Sequence, residues 1–458
     1  MPSYDAIIIG TGQAGPALAR RLVTAGRKVA IIERKLFGGT CVNTGCTPTK
    51  TLVASAYAAH AARRAAEYGV RIEGAVNVDM KAVKARKDAV VAASRDGLER
   101  SLRTLEGCTV YEGHGRFVAE KKVAVNGSEL VADHIFINVG GRAAIPSIPG
   151  LDRVPYLTNS SMMDIDFLPA HLVILGGSYV GLEFAQMYRR FGSEVTVIEL
   201  SPRLIPREDE DISRAVADFL KAEGIDVRVD SKVVGVEKQG NSTAVTVESA
   251  GKRLQVLGTH VLVATGHRPN TDDLGLDRAG IATDARGYIQ VDDQLRTNVP
   301  GVWAMGDCNG RGAFTHTSWN DFQIVAGNLL DNDPRRVSDR ITAYALYTDP
   351  PLGRAGMTEA EVRKTGKPAL ISTLAMERVS RAYERGETRG FMKILVDRDS
   401  KRILGASFLG LEGDEVIHCV LDVMYAKAPY TVMQRAMHIH PTVSEFVPVM
   451  LGELKTLQ

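Results

Sequence analysis

Two cysteines, Cys41 and Cys46, are separated by Val42-Asn43-Thr44-Gly45 and followed by Thr47-Pro48-Thr49-Lys50. A thiol pair that closes and reopens a disulfide carries two electrons, which no single side chain does. In a regular helix residues five apart lie about 7.5 Å apart along the axis. The Cα atoms of a disulfide usually lie about 4.4–6.8 Å apart. A non-helical turn must therefore join the two, and Gly45 is expected to supply it through a φ angle closed to other residues. Pro48 suits the first turn of a helix, and residues 50–60 read as that helix. Cys46 then stands at a helix N-terminus, whose partial positive charge favours a thiolate. The expected chemistry is a redox dithiol with one low-pKa sulfur.

The elements around this pair are of a kind that holds nucleotides. An apolar strand over 5–10 leads into Gly10-Thr11-Gly12-Gln13-Ala14-Gly15, a helix over 16–25, and a second strand over 28–32 that ends at Glu33. The unit recurs as a strand over 172–175, Gly176-Gly177-Ser178-Tyr179-Val180-Gly181, a helix to Phe191, and a strand over 194–198 ending at Glu199. Glu33 and Glu199 each follow the first glycine of their loop by 23 residues. Such loops set pyrophosphate against a helix N-terminus, and the trailing acid accepts hydrogen bonds from ribose hydroxyls. Ser178 replaces the middle glycine of the second loop, and serine is small enough to keep that loop functional. Glu199 should repel a ribose 2′-phosphate and so favour NADH over NADPH, although Arg203 and Arg207 lie nearby. Two nucleotide sites and a dithiol require an electron relay between them, the chemistry of a flavin.

Alanine-rich segments over 49–67 and 79–105 have helical periodicity. Short strands follow near 109–111, 122–125 and 134–139, and a proline-rich stretch over 146–155 marks an exit from the first domain. Apolar runs over 261–270 and 302–307 read as strands closing on glycine. Residues 341–458 change texture, with strands over 368–375, 391–396 and 403–408 beside helices over 415–426 and 431–436. The expected fold class is α/β: two Rossmann-like dinucleotide-binding domains plus a C-terminal α+β domain. The expected boundaries are 1–150 and 271–340 for the two parts of the first, central domain, 151–270 for the second dinucleotide-binding domain, and 341–458 for the C-terminal domain.

At 458 residues, with 45% hydrophobic and 24% charged, the chain has the balance of a folded multidomain protein. A net charge of +2 with no long basic run argues against nucleic acid. No apolar run approaches the length of a membrane span. The five cysteines (Cys108, Cys308 and Cys419 besides the pair) are too few and too uneven for a secreted disulfide framework. A cytoplasmic location is expected.

Over nearly its whole length the sequence resembles the class I pyridine nucleotide–disulfide oxidoreductases. The resemblance is carried by Gly39-Thr40-Cys41-Val42-Asn43-Thr44-Gly45-Cys46-Thr47-Pro48-Thr49-Lys50, Ala264-Thr265-Gly266-His267-Arg268-Pro269-Asn270, Ala304-Met305-Gly306-Asp307, Thr348-Asp349-Pro350 and His440-Pro441-Thr442-Val443-Ser444-Glu445. Within that family it is most similar to mercuric reductases and to the copper(II) reductase branch of reactive-chlorine resistance. The resemblance implies FAD on the first unit (Gly10, Gly12, Gly15, Glu33, Gly39, Thr40, Gly140) and NADH or NADPH on the second (Gly176, Ser178, Tyr179, Gly181, Glu199, Gly266), in a homodimer. It implies that Cys46 faces the flavin and Cys41 attacks the substrate. Lys50, near the flavin N5, is implied to pair with Glu183. Asp307 is implied to bind the ribityl chain, and Thr315 to open a helix aimed at the ring. Tyr179 is implied to cover the flavin until nicotinamide enters. His440, oriented by Glu445, is implied to complete the active site of the opposite subunit as acid–base group.

The pattern departs from mercuric reductases in two ways: no cysteine follows Cys419, and histidine stands at position 440 where they usually carry tyrosine. His267 and Asn138 are also atypical. The expected activity passes electrons from nicotinamide through FAD to a Cys41–Cys46 disulfide, and on to a small disulfide or a metal ion, Hg(II) or Cu(II). Cys41 and Cys46 are the only candidate ligands for such a metal, as transient substrate ligands, and no resident metal is expected. The alternatives are dihydrolipoamide dehydrogenase or glutathione-reductase-type activity and, in another class, a redox-sensing or metal-buffering flavoprotein.

Overall fold

The computed structural model describes residues 1–457. Its first sheet orders the strands Cys108–Glu112, Val29–Glu33, Ser3–Ile9, Ser128–Ile137, Lys122–Val125 and Arg116–Ala119, with Val302–Ala304 also paired to Ser128–Ile137. The pairings among the first four strands are parallel, as is that of Val302–Ala304. Ile7, Ile8, Ile31 and Ile135 have no accessible surface, because helix residues such as Leu18, Leu22 and Ile324 cover one face of the sheet while Phe117, Val123, Leu274 and Ile289 cover the other, leaving its strands no wet side. The second sheet, Asp226–Arg228, Glu194–Ile198, His171–Leu175, His260–Val263 and Leu157–Thr158, is also parallel. Beside it lies an antiparallel three-stranded sheet built from residues 232–258.

A third, antiparallel sheet contains Ala343–Leu346, Leu352–Gly356, Ile403–Leu409, Phe391–Asp397, Ala369–Ala375 and Lys455–Thr456. The helix Gly413–Tyr425 packs on it through Val416, Ile417 and Val420. The expected strand over 261–270 divides in two. His260–Val263 completes the second sheet, and His267–Pro269 then pairs with Gly141–Ala143 outside it. The positive φ of Gly266, 124°, provides the break. The expected helix over 49–67 begins earlier and ends sooner, as Cys46–Arg63 followed by a tight turn. The next helix is Met80–Arg103, with Asp79 accepting hydrogen bonds from two first-turn amides.

One apolar core runs from the cysteine helix through the second sheet to the third. It takes in Leu52 and Ala56 of the cysteine helix, Leu182 and Phe184 of the helix Tyr179–Phe191, and Leu346, Leu352 and Leu409 of the third sheet. A buried ion cluster fixes the register between the last two groups. Arg190 bonds Glu223 and Asp349, each at 2.7 Å, with only 5% of its own side chain exposed. Gln186 exchanges two backbone hydrogen bonds with Asp349, both 2.8 Å. Among the described residues no helix is long and apolar enough to cross a membrane.

Removing one partner of a buried ion cluster leaves the others charged and dry. Arg190→Ala is therefore expected to lower unfolding stability by about 3–5 kcal/mol, read by urea unfolding against the parent. A loss no larger than that of an exposed ion pair would mean that the cluster does not hold the third sheet in place.

Candidate functional site

Cys41 lies on the short helix Gly39–Asn43, and Cys46 is the first residue of the helix Cys46–Arg63. The turn between them is non-helical, as the spacing requires. Its glycine acts by a different means from the one expected. Gly45 has an ordinary negative φ of −125°, so no left-handed angle is needed. What it supplies is room, since a Cβ there would lie 2.9 Å from the Thr40 carbonyl oxygen and 3.3 Å from the Cys41 Cα. The absent side chain lets one cysteine segment fold against the other.

Both thiols are free, with Cys41 half-buried and Cys46 keeping an accessible face. The Cys46 Sγ lies 3.0 Å from the Thr315 hydroxyl. Its pKa falls to about 6, first because the Cys41 thiol hydrogen-bonds to it. Burial opposes that shift, and the Thr315 hydroxyl and the Lys50 charge add to it. The Cys41 thiol is pushed upward, because it donates to Cys46, is desolvated and would meet a second negative charge. The pair therefore holds one proton and one charge, with the charge on Cys46. The other thiols move the opposite way under burial: Cys108 to about 11, Cys308 to about 12 and Cys419 to about 11. The expected low-pKa sulfur is Cys46, but its neighbour thiol contributes more than the helix terminus on which the expectation rested.

Lys50, one turn along the same helix, reaches Glu183 at 2.8 and 3.0 Å. Glu183 also accepts the Tyr347 amide at 3.1 Å, and the Tyr347 ring lies 4.4 Å from the lysine nitrogen. The cation is thus held between an acid from the second unit and a ring from the approach to the third sheet. Sequence reasoning found the Lys50–Glu183 pair but missed Tyr347, which carries no motif.

The two glycine loops use the same device. Glu33 accepts the Thr11 amide at 3.0 Å and the Thr11 hydroxyl at 2.5 Å, while Glu199 accepts the Gly177 amide at 2.6 Å. In the first loop Asn138 donates to the Gly10 and Gly12 carbonyls at 3.3 and 3.1 Å, which explains that atypical residue. A Cβ on Gly15 would meet the Gly10 carbonyl oxygen at 2.4 Å, and one on Gly39 would meet the Gly12 Cα at 3.0 Å. Gly140 adjoins the same loop with a positive φ of 63°. Thr40 is exposed beside it. In the second loop a Cβ on Gly181 would lie 2.1 Å from the Gly176 carbonyl oxygen. Ser178 has a φ of −109°, open to any residue, so the missing middle glycine costs no strain. Nothing in the structure explains histidine at position 267.

Asp307 adds a half-buried carboxyl with its own amide as hydrogen-bond partner, its pKa raised to about 6 by burial and then by the charge of Asp321. Such a group suits the hydroxyls of a polyol chain. Thr315 begins the helix Thr315–Leu330 as expected and also touches Cys46. The residues present fit FAD on the first unit and a nicotinamide nucleotide on the second.

Tyr179 packs edge-on against Phe314 and Tyr344, with ring centroids 6.4 and 5.4 Å away. Its hydroxyl donates to Glu208 at 3.2 Å. His440 and Glu445 lie apart from the thiols. His440 Nδ1 sits 3.1 and 3.0 Å from the two Glu445 oxygens, and 72% of the histidine side chain is exposed. An ionised carboxylate accepts only, so Nδ1 carries the hydrogen and Nε2 remains as a base. Met437 and Ile439 beside it are 99% and 80% exposed, an apolar tip of the kind that marks an interaction surface. Among the described residues no group of three or more His, Cys, Asp or Glu could hold a metal ion.

Residues 4–321 match the family described as pyridine nucleotide-disulphide oxidoreductase, and residues 342–450 match its dimerisation domain. The chain is 36% identical over 453 residues to a probable pyridine nucleotide-disulfide oxidoreductase, RclA, of Escherichia coli (strain K12), covering 97% of this chain and 98% of the relative. It is 35% identical to a mercuric reductase of Streptomyces lividans, with 96% of this chain and 94% of the relative covered. It is 30% identical to a dihydrolipoyl dehydrogenase of Chlamydia muridarum, with 97% and 95% covered. A solved Cu(II) complex of the HOCl-induced flavoprotein disulfide reductase RclA from Escherichia coli superposes with a TM-score of 0.89 at 35% identity, covering 98% of this chain and 99% of that one.

A thiolate with a depressed pKa exists above that pKa and is lost as pH falls through it. Alkylation of the reduced protein by iodoacetamide is therefore expected to hold its rate down to about pH 6 and then fall. Thr315→Val removes one donor and should move that midpoint upward by about one to two units. A parent midpoint in the ordinary thiol range would contradict this site electrostatics.

Proposed function

This chain belongs to the pyridine nucleotide-disulphide oxidoreductases, enzymes that use FAD and NAD(P)H, and from that membership we propose how its own residues divide the reaction. The reading rests on one observation: the Cys46 Sγ meets the Thr315 hydroxyl at 3.0 Å and stands one helical turn from Lys50, an arrangement that favours the charge on Cys46 and leaves the proton on Cys41. FAD, when bound, converts the hydride of NAD(P)H into the electron pair that opens the Cys41–Cys46 disulfide. Gly10, Gly12, Gly15, Glu33, Gly39, Thr40, Gly140, Asp307 and Thr315 would hold it. Lys50, fixed by Glu183, keeps positive charge near Cys46 and would supply the same charge to the flavin. Gly176, Ser178, Tyr179, Gly181, Glu199 and Gly266 would hold the nicotinamide nucleotide. The division into 1–150 with 271–340, 151–270 and 341–458 fits this assignment. So does the return of Val302–Ala304 to the first sheet.

Cys41 is the attacking thiol. With a disulfide as substrate, His440 of the partner subunit, oriented by Glu445, takes the Cys41 proton on Nε2 as the Cys41 sulfur bonds one substrate sulfur, and passes that proton to the thiolate that leaves. Cys46 then attacks Cys41, the second substrate sulfur leaves as a thiolate that takes its proton from water, and the Cys41–Cys46 disulfide re-forms, so the dithiol has supplied two electrons and one proton. A homodimer is required because His440 has no contact with its own chain's thiols. With Cu(II) as substrate the same dithiol gives one electron to each of two ions, releases its one proton and closes to the disulfide. Thiolates favour Cu(I) and other soft ions, and a site without a third protein ligand lets the product leave. The Cu(II)-bound relative makes Cu(II) the first metal to test. Oxidation of dihydrolipoamide, the chemistry of a second relative, is the alternative.

Cys41→Ser is expected to abolish NADH consumption driven by glutathione disulfide, lipoamide, Cu(II) or Hg(II) while leaving flavin bleaching by NADH intact. Undiminished turnover would remove the dithiol from the relay. His440→Ala should lower disulfide turnover about 10²- to 10⁴-fold. Mixing it with Cys41→Ser subunits should restore activity only in the hybrid dimer, because each active site draws on both chains. Glu199 should make kcat/KM for NADH exceed that for NADPH, and the reverse order would overturn its assignment.

A further inference from the structure

Glu208 is a carboxylate with none of its side chain exposed, and the reaction as described does not use it. One of its oxygens accepts two phenols, Tyr344 at 2.5 Å and Tyr179 at 3.2 Å. Its other oxygen faces Arg354 at 3.4 Å, a guanidinium that is itself 1% exposed and whose Nη2 has no partner. The neighbouring Asp209 lies 3.8 Å from the same Arg354 nitrogen and is held mainly by others, accepting the Glu359 and Ala360 amides at 3.0 and 3.1 Å and pairing with Lys393 at 3.0 Å. Burial raises the Glu208 pKa, while Arg354 and the phenols oppose that rise.

These partners differ in what holds them. Tyr344 and Arg354 belong to paired strands of the third sheet. The Tyr344 ring is stacked on Phe314 at 5.6 Å. Tyr179 is the first residue of its helix, within the second glycine loop, and is held by edge contacts and by its hydroxyl. If the Tyr179 ring swings aside, Glu208 keeps Tyr344 and Arg354. The buried acid is therefore never left without partners, and the Tyr179 bond can break and re-form at small cost.

We propose that Glu208 is the latch of a gate: through its bond to the Tyr179 hydroxyl it holds that ring across the nicotinamide site and so weakens binding of the nucleotide. This rests on the assignment of Tyr179 to that site. Glu208 is a positioning residue acting through Tyr179. A ligand that binds only the open form has its affinity reduced by the fraction of molecules that are open. Weakening the latch must therefore tighten binding, which a loss of structure would not do.

The test is calorimetric titration of the oxidised, FAD-loaded protein with NAD⁺, which needs no turnover. Tyr179→Phe keeps the ring and removes the hydroxyl, and the NAD⁺ dissociation constant is expected to fall about three- to tenfold. Glu208→Gln, which keeps an acceptor but loses the charge, should shift it the same way by less, and the double variant no further than Tyr179→Phe, because both changes act on one bond. KM for NADH should fall with no rise in kcat. Weaker or unchanged NAD⁺ binding in Tyr179→Phe, or effects that add, would overturn the latch. Should Glu208→Gln fail to fold, Tyr179→Phe alone decides, since it leaves Arg354 paired. Tyr179→Ala separates the two layers of the reading. If it too leaves affinity unchanged, Tyr179 is not at the nicotinamide site; if it alone shifts affinity, the site stands and the latch falls.

Discussion

Everything at this site depends on keeping one negative charge on the Cys46 sulfur in surroundings that partly exclude water. Desolvation by itself drives a thiol toward its neutral form, as the buried Cys308 demonstrates. Cys46 moves the other way because three donors meet at it: the Cys41 thiol, the Thr315 hydroxyl and the Lys50 charge. The first comes from the preceding turn, the second from a helix 269 residues further along, and the third from the next turn of its own helix. Only a fold that returns the chain from the second unit to the first sheet can bring Thr315 there. The excursion through the second sheet and the strand Val302–Ala304 that rejoins the first are thus part of the electrostatics of one sulfur.

Lys50 illustrates the balance involved. Its charge helps Cys46, yet the same ammonium is neutralised in part by Glu183, whose side chain is 7% exposed. Without that partner a long flexible amine would leave the buried side for water. With it, the cation is fixed but its field is reduced. The Cys41 thiol contributes more than Lys50 to the depressed pKa, which is consistent with that trade. Charge separation within the dithiol does most of the stabilising, and the lysine supplies orientation and a smaller field.

What the sequence makes legible is what lies within a few residues or repeats itself. The paired glycine loops, their trailing acids, the cysteine spacing and the His440–Glu445 bond are all local patterns, and their geometry follows from chain chemistry. Gly45 was legible as necessary but not in its reason, because spacing reveals a tight turn and not the atom that a Cβ would strike. Thr315 against Cys46, Tyr347 beside Lys50 and Glu208 under Tyr179 are contacts between distant segments, so no periodicity points to them. Asn138 stood out as atypical, but its use, donating to two carbonyls of the glycine loop, appears only when the strand ending at Ile137 is laid beside the first one. The substrate is the least legible feature, because the thiols accept any soft or disulfide-bonded oxidant and selection falls to surfaces that two chains share.

The buried charges between the second unit and the third sheet pose a last question of physical purpose. Arg190 with Glu223 and Asp349, and Arg354 with Glu208, withdraw full charges from water, and apolar residues of similar size would hold the same sheets together at least as firmly. Charges differ from apolar contacts in tolerating only one register, since a shift of a few ångströms leaves an ion unpaired. In this protein register is what matters: Tyr347 must meet Lys50, and Tyr344 must meet Glu208. A greasy interface would let the third sheet slide while remaining folded. The ion clusters instead tie that sheet to the helix that carries Glu183, so that one connection sets the distances at both contacts.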